Sequence, residues 1–368
     1  MNGLGKALAL VLPLAAVLVG CPAAHVDPPV ITDPAALTPP AAGTGFQIKT
    51  DSFEVPPGIE EQACYFFKVS DVAAASGLPA DKPVNLHRVQ IVQKEGSHHM
   101  NIFRVRTIHG LGPASGAVVR GQNGAGECFK SPNWADWPLV ANTQQKGDMD
   151  WTYPDGVANV LAPDEWLMLQ THYVNASTQT VPDNKGAVSA NFYTLPQDQV
   201  KYELGTLFAT NQNIRVCSKN PTPTFSQGCQ VKSPAPVTVI GANGHFHSRG
   251  TEFAIYSWDG KSTATPAESQ RFYTSKEWNE PPMLRSPELS TDLPSNGGVW
   301  YSCSYQWTPP AAEVGGCDAL NAYDKTKNKI TDDSQLDCCY AFGPIVEKNE
   351  HCNAFVYYYP KQDNVVCQ

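Results

Sequence analysis

Six of the nine histidines in this chain lie in short, strand-like segments flanked by apolar residues. Neutral imidazole is the commonest protein ligand for copper and zinc, and a buried imidazole needs a polar partner or a metal ion. A single histidine in a strand is more often a surface or hydrogen-bonded residue, but six in such positions together predict metal binding. The six are His98, His99, His172, His245, His247 and His351.

Strand geometry constrains which of these imidazoles can share an ion, because successive side chains of a strand point to opposite faces. His245 and His247 therefore share a face, while Phe246 points the other way, into packing. His98 and His99 are adjacent, so both can reach one ion only where the backbone is irregular, as at a β-bulge or a strand end.

His172 ends the segment 166–172, in which alternate residues share one face. Gln170 lies on the same face as His172, so we expect this amide to be a polar neighbour of that imidazole.

The elements that must position these histidines are predicted to be strands. From Phe46 onwards short alternating apolar runs are broken by Gly, Pro, Asn and Asp, and the chain contains 28 Gly and 31 Pro. One short helical turn is expected at 73–76, and no amphipathic helix longer than three turns. The pattern predicts an all-β protein with two tandem antiparallel β-sandwich domains, 45–195 and 196–368, and a disulfide-pinned insertion at 308–337.

The first 21 residues resemble a bacterial lipoprotein signal peptide. Lys6 is followed by an apolar core at 7–19, and Leu-Val-Gly-Cys at 18–21 resembles a lipobox whose Cys21 would carry the lipid. An ordinary signal peptide with a chance cysteine is the alternative. Residues 22–44 are rich in Pro and Ala and predict a flexible tether. We therefore expect an exported protein, lipid-anchored to the bacterial outer membrane or cell surface.

Charge and cysteine content exclude several other classes. A net charge of −9 without a basic run argues against binding of nucleic acid. Besides Cys21 there are ten cysteines, an even number that predicts disulfides in an exported chain. None lies in a CxxC pair, which argues against a zinc ribbon or a thioredoxin-like site.

The histidine segments resemble motifs of one enzyme family. HHMNIF at 98–103 resembles the HHMxxF signature of the copper type II, ascorbate-dependent monooxygenases, which include peptidylglycine α-hydroxylating monooxygenase and dopamine β-monooxygenase. LQTHY at 169–173 and HFHSRG at 245–250 are similar to the family's LQxHY and HTHxxG segments. The end of the chain resembles the family's CxY, EMCN and YYP segments at 303–305, 350–353 and 357–360.

This resemblance implies two jelly-roll-like β-sandwich domains that each bind one copper and face each other across an open interdomain cleft. The first copper would relay an electron, and the second would activate O2 for hydroxylation of a substrate C–H bond, with ascorbate as the usual reductant. The implied ligands are His98, His99 and His172 for the first copper, and His245, His247 and His351 for the second. The implied disulfides are Cys64–Cys128 and Cys303–Cys352.

The chain departs from the family pattern at several positions. The family has Met at 351, and His351 would make both copper sites three-histidine sites that also suit Cu(II) and Zn. In the alternative, His351 is not a ligand, and the second site has only two ligands, His245 and His247. Asn243 and Phe355 replace an Arg and a Tyr that hold a substrate carboxylate, so the bidentate clamp is lost. Asn353 and Phe355 share the face of His351, which predicts a cavity for a neutral or aromatic substrate.

The sequence thus predicts a copper-dependent monooxygenase with two copper ions, an external reductant such as ascorbate, and a small-molecule or peptide substrate. Gln170, Asn353 and Phe355 are the candidate catalytic residues beside the metal ligands. A non-catalytic copper-binding or copper-buffering envelope lipoprotein is the alternative. A carbohydrate- or partner-binding β-sandwich with incidental histidines is a third interpretation.

Overall fold

The computed structural model describes residues 37–105, 114–122, 125–126, 137–144, 148–175 and 184–367. Within these ranges the chain is mostly β-strand, with two α-helices. Apart from the parallel pair formed by residues 157–158 and 202–203, the paired strands are antiparallel. The expected all-β sandwich fold is confirmed.

The strands fall into two sets, which we call the first half (to residue 203) and the second half (from residue 205). The first half contains β1 (Gly45–Lys49), β2 (Phe53–Glu54), β3 (Glu60–Lys68), β4 (Val84–Gln93), β5 (Ser97–Arg104), β6 (Val118–Gln122), β7 (Ala125–Gly126), β8 (Leu139–Gln144), β9 (Met149–Thr152), β10 (Val157–Leu161), β11 (Trp166–Val174), β12 (Lys185–Gly186), β13 (Val188–Thr194) and β14 (Tyr202–Glu203).

Two six-stranded sheets make up most of the first half. One has the order β1-β13-β4-β10-β14 with β9 beside β4, and the other has the order β7-β6-β3-β11-β5-β8. Apolar residues of both sheets pack in one core, among them Phe46, Ile91, Phe66 and Ile102. Strand β14 pairs with β10, so the first half extends beyond residue 195, where the sequence pattern placed the boundary.

The second half contains β15 (Gly205–Thr210), β16 (Arg215–Val216), β17 (Thr224–Val231), β18 (Val237–His245), β19 (Gly250–Trp258), β20 (Arg271–Ser275), β21 (Leu284–Arg285), β22 (Thr291–Leu293), β23 (Gly298–Tyr305), β24 (Tyr340–Ala341), β25 (Asn353–Tyr359) and β26 (Val365–Cys367). Its two five-stranded sheets have the orders β15-β25-β18-β21, with β22 beside β18, and β20-β19-β23-β17-β26. A second core lies between them, with Val239, Phe253 and Tyr301 among its residues.

The strands that carry the histidines are covered on both faces. Every residue of β5 is buried, and so is β11 except for its two terminal residues. One face of β5 and β11 packs in the core of the first half. Ile240, Phe355 and Tyr357 of the second half join that same core, so the two halves are in apolar contact.

The helices are α1 (Val69–Ala75) and α2 (Gly316–Lys327). Helix α1 begins four residues before the expected turn at 73–76. Helix α2 lies in the insertion at 308–337 and, with 12 residues, slightly exceeds three turns, but it is not the amphipathic helix that the sequence pattern excluded. Its buried residues are Leu320 and Asp324, so it lacks the apolar stripe by which a helix is found in a sequence. Among the described residues, neither helix is long and apolar enough to span a membrane.

Disulfides cross-link the second half. The structure forms Cys303–Cys352, the pair implied by the resemblance. The neighbours Cys338 and Cys339 bond to different partners, which pins the insertion as expected. The further pairs are Cys217–Cys339, Cys229–Cys367 and Cys317–Cys338.

In the first half Cys64 is disulfide-bonded, and its implied partner Cys128 lies outside the described residues. Cys21 and the signal at 1–21 also lie outside them. Multiple disulfides are typical of an exported protein.

The end of the proposed tether is bound to the first half. Gln47 donates from Nε2 to the carbonyl of Leu37 at 2.9 Å, and Asn191 donates from Nδ2 to the carbonyl of Thr38 at 2.8 Å. Residues 37–44 therefore follow the edge of the first half and are not free linker, because their backbone has hydrogen-bond partners there.

Candidate metal centre

His98, His99 and His172 form the first histidine triad. His172 on β11 pairs with His99 on β5, but the next residue, Tyr173, pairs with Ser97. His98 is therefore the extra residue of a β-bulge, which turns both adjacent imidazoles toward His172. His172 Nδ1 lies 3.3 Å from His98 Nδ1 and 3.0 Å from His99 Nε2.

His245, His247 and His351 form the second histidine triad. His245 ends β18, His247 follows it, and His351 precedes β25, which pairs with β18. The ring centroids of His247 and His351 are 4.2 Å apart, and that of His245 lies 5.4 Å and 5.3 Å from them. Phe246 points away and stacks on Phe253 in the core, as strand alternation predicts. His351 thus joins the other two imidazoles.

Each triad offers nitrogen lone pairs to an ion. Its three candidate ligand atoms lie within 4.8 Å of one another. The triads also contain buried ring nitrogens without a hydrogen-bond partner, which a metal ion would satisfy. These atoms are His98 Nε2, both ring nitrogens of His245, His247 Nε2 and His351 Nδ1.

Burial keeps most of these imidazoles neutral. Desolvation, helped by neighbouring imidazoles, lowers the pKa of five of them well below the ordinary value of 6.5. A neutral imidazole retains the lone pair that binds a metal, so these ring nitrogens can bind a metal ion at neutral pH. The five are His98, His99, His245, His247 and His351.

Glu60 is not a member of the first triad but contacts one of its histidines, His172. Its Oε1 lies 2.7 Å from His172 Nε2, so it accepts the proton of that nitrogen and leaves Nδ1 free toward His98 and His99. Sequence reasoning missed Glu60. The available signal was an acidic residue at the start of a buried strand, where a carboxylate needs a partner.

Replacing Glu60 with glutamine is expected to weaken metal binding at the first triad by about 10–100-fold, because the ligand His172 loses its charged partner. Competition with a chelator of known affinity measures the change. Glu54→Gln is the matched control, since Glu54 is 68% exposed and pairs with Lys185. Equal affinities of the two variants would contradict the role of Glu60.

A buried ion pair fixes the second triad. The Glu350 carboxylate accepts hydrogen bonds from the backbone N–H of His247 at 3.0 Å and from Arg249 Nη1 at 2.9 Å. The Arg249 guanidinium also stacks on Tyr340, 3.9 Å from the ring centroid. Burial raises the pKa of Glu350 to about 7, against the opposing charge of Arg249. The pair ties the segment of His351 to the turn after β18, and sequence reasoning missed it.

Gln170 reaches the first triad through Asn101. Its Oε1 accepts a hydrogen bond from Asn101 Nδ2 at 3.0 Å, and that same Nδ2 lies 3.3 Å from His99 Nδ1. The amide expected beside His172 therefore acts toward His99 instead. It is a positioning residue, since Asn101 stands between it and the imidazole.

The two triads lie against each other. The ring centroid of His245 is 5.3 Å from those of both His98 and His99, and His247 is 5.9 Å from His98. The open cleft implied by the resemblance is therefore wrong for this site. The physical reason is the apolar contact of Phe355 and the other second-half residues with the core of the first half.

A cavity of about 10 Å³ lies between the triads. This is about the smallest volume that can hold one water molecule. Phe355 stacks on Phe208 with centroids 4.8 Å apart, and Asn353 accepts a hydrogen bond from Thr210. As expected, Asn353 and Phe355 share this cavity with His351. Its lining residues are His99, Asn101, Phe208, His245, His351, Asn353 and Phe355.

A third cluster of metal-ligand types, Cys217, Asp337 and Cys339, is not a metal site. The two cysteines are bonded to each other, so neither offers a thiolate.

Compared with known families and with characterised proteins, the chain matches no family model and no individual protein.

Proposed function

We propose that the chain is a copper-dependent monooxygenase, which hydroxylates a substrate C–H bond with O2 and an external reductant such as ascorbate. The observation that carries this proposal is the convergence of distant segments into two buried three-imidazole clusters. Those segments are the ones whose motifs resemble the copper monooxygenases. Bound copper would supply one-electron redox chemistry with oxygen.

The residues of the chain support that chemistry in separate ways. His98, His99 and His172 would hold the copper that relays an electron. His245, His247 and His351 would hold the copper at which oxygen reacts. Glu60 and Glu350 orient ligands of the two clusters. Burial excludes bulk water from all six imidazoles, which limits loss of reactive oxygen species to solvent.

The residues that line the cavity would suit a neutral or aromatic substrate, although the closed cavity, at about 10 Å³, admits no more than one water molecule. Phe208 and Phe355 provide an apolar wall, and the Asn353 amide is the polar group beside His351. Asn243, which stands where the family has a carboxylate-binding Arg, donates to the carbonyl of Pro282 and is not among the lining residues. A substrate carboxylate would therefore find no guanidinium partner at this position.

The disulfides and the N-terminal sequence support a location in the cell envelope. Multiple disulfides are typical of a chain that folds in an oxidising compartment. Lipid attachment at Cys21 would anchor it to a bacterial envelope membrane, where an external reductant has access.

Metal content and oxygen consumption test the proposed function. The purified protein should bind about two copper ions per chain, as two three-nitrogen sites require. With ascorbate it should consume oxygen and form a hydroxylated product. A single bound zinc, or no metal, would contradict the proposal.

A copper-buffering protein without turnover is the second candidate, and His351 is the observation that favours it. A third imidazole lies 4.2 Å from His247 where the related enzymes have a thioether that favours Cu(I). The variant His351→Met separates the two functions. Monooxygenase activity that appears only in this variant would identify the native protein as a binder, whereas turnover by the native protein would exclude buffering as its sole role.

A further inference from the structure

A buried hydrogen-bond network joins the two halves next to the triads. Asn142 on β8 donates from Nδ2 to Asn243 Oδ1 on β18 at 3.2 Å. Tyr357 on β25 donates from its hydroxyl to Asn142 Oδ1 at 2.7 Å. Both asparagines are 0% exposed and Tyr357 is 4% exposed. We call these three residues the latch.

Along the paired strands, the latch lies two residues from a histidine of each triad. Asn142 pairs with Asn101 on β5, the residue whose amide contacts His99. Asn243 lies two residues before His245 on the same strand and donates from Nδ2 to the carbonyl of Pro282 at 3.3 Å. A displacement of one half relative to the other would therefore separate Asn142 from Asn243 and His99 from His245 together.

Separation would break the hydrogen bond between Asn142 and Asn243 and the one between Asn142 and Tyr357, both of which stabilise the closed arrangement. Ile240, Phe355 and Tyr357 would in addition lose apolar contact with the first half. The closed arrangement is thus favoured by polar and by apolar contacts, and the amide pairing sets its register because it is directional.

We propose that the latch of Asn142, Asn243 and Tyr357 holds the two triads in contact, so that two bound copper ions form one magnetically coupled centre. This inference rests on the copper binding of the proposed function, but it does not depend on turnover. The imidazole rings of opposite triads are 5.3 Å apart between centroids, so ligand rings of the two sites are in direct contact.

Electron paramagnetic resonance of the Cu(II)-loaded protein tests the proposal. With two copper ions bound per chain, the integrated signal should fall below the copper content measured on the same sample, and the lines should be broadened. The variant His172→Ala, loaded with one ion at the intact second triad, should give a narrow signal that accounts for all its copper. A full, unbroadened signal from the native protein would overturn the proposal.

The variant Asn243→Ala tests the latch itself. Its integrated signal should rise toward the copper content as the triads move apart. Asn191→Ala is the matched control, because Asn191 is also 0% exposed and is bonded to Gln47 and the carbonyl of Thr38 within the first half. A signal from Asn243→Ala no larger than that from Asn191→Ala would refute the latch. Where Asn243→Ala does not fold, the comparison of the native protein with His172→Ala decides.

The outcome separates the latch from the proposed function. A coupled centre without oxygen consumption supports the latch and rejects the monooxygenase. Two uncoupled sites with turnover reject the latch and leave the monooxygenase. A protein that binds no copper rejects both.

Discussion

Lowering the pH from about 7.5 to about 5.5 is expected to destabilise the metal-free protein. The pKa of five triad histidines is held well below 6.5 by burial, whereas unfolding restores the ordinary value. Each of these rings takes up a proton near pH 6.5 in the unfolded chain but stays neutral in the folded chain, so stability falls as the pH drops below that value.

The direction follows from proton uptake. Below pH 6.5 the unfolded chain binds protons that the buried imidazoles of the folded chain do not bind. The free energy of unfolding is therefore larger above pH 6.5 and decreases as the pH falls below it. Glu350 acts in the opposite sense, because its pKa is raised to about 7 in the folded protein and protonation below that pH favours folding. One carboxyl group offsets only part of the effect of five imidazoles.

Urea unfolding at several pH values measures this loss. The control is His87→Asn, since His87 lies outside the triads and its Nδ1 contacts the carbonyl of Val157. That variant should keep the slope of stability against pH, whereas His98→Asn should reduce it. Bound copper should protect the protein against acid, because metal and protons compete for the same nitrogens. Stability that stays constant from about pH 7.5 to about pH 5.5 would show that the imidazoles are not buried as described.

Replacing Arg249 with alanine is expected to destabilise the protein by about 3–5 kcal/mol, because the Glu350 carboxylate would remain buried without its cation. The exposed fractions of the two side chains are 6% and 0%. The second triad should lose copper affinity as well, since Glu350 also holds the backbone of His247. Denaturant unfolding and copper titration measure the two effects.

Arg271→Ala is the control for this change, because Arg271 forms partly exposed ion pairs with Glu252 and Glu268 and should contribute little. A double variant, Arg249→Met with Glu350→Leu, should recover only part of the stability. The backbone N–H groups of His247 and Arg249 would then lack the acceptor that Glu350 provides. A loss from Arg249→Ala as small as that from Arg271→Ala would refute the structural role of the pair.

Local strand geometry predicted two features of the triads, whereas the grouping of three histidines in each was implied by the family resemblance. The adjacency of His98 and His99 required an irregular backbone, and the structure has a bulge there. The spacing of His245 and His247 required a shared face, and both imidazoles meet His351. The all-β fold follows from the same alternation of apolar residues, which depends on neighbours in the sequence.

Features that depend on distant partners could not be predicted in this way. Glu60 and Asn142 are ordinary polar residues in strands, and their roles arise only when β3 lies beside β11 and β8 meets the second half. The contact between the triads was missed for the same reason. A sequence pattern gives the face of a strand but not the element that will cover it.

The four disulfides whose two cysteines are both described lie in the second half, and Cys352 is the direct neighbour of His351. This has a practical consequence for preparing the protein. A host cytosol, kept reducing by glutathione and thioredoxin, would keep these cross-links and the disulfide of Cys64 from forming. Recombinant material intended for copper studies should therefore be secreted to a periplasm or refolded under oxidising conditions.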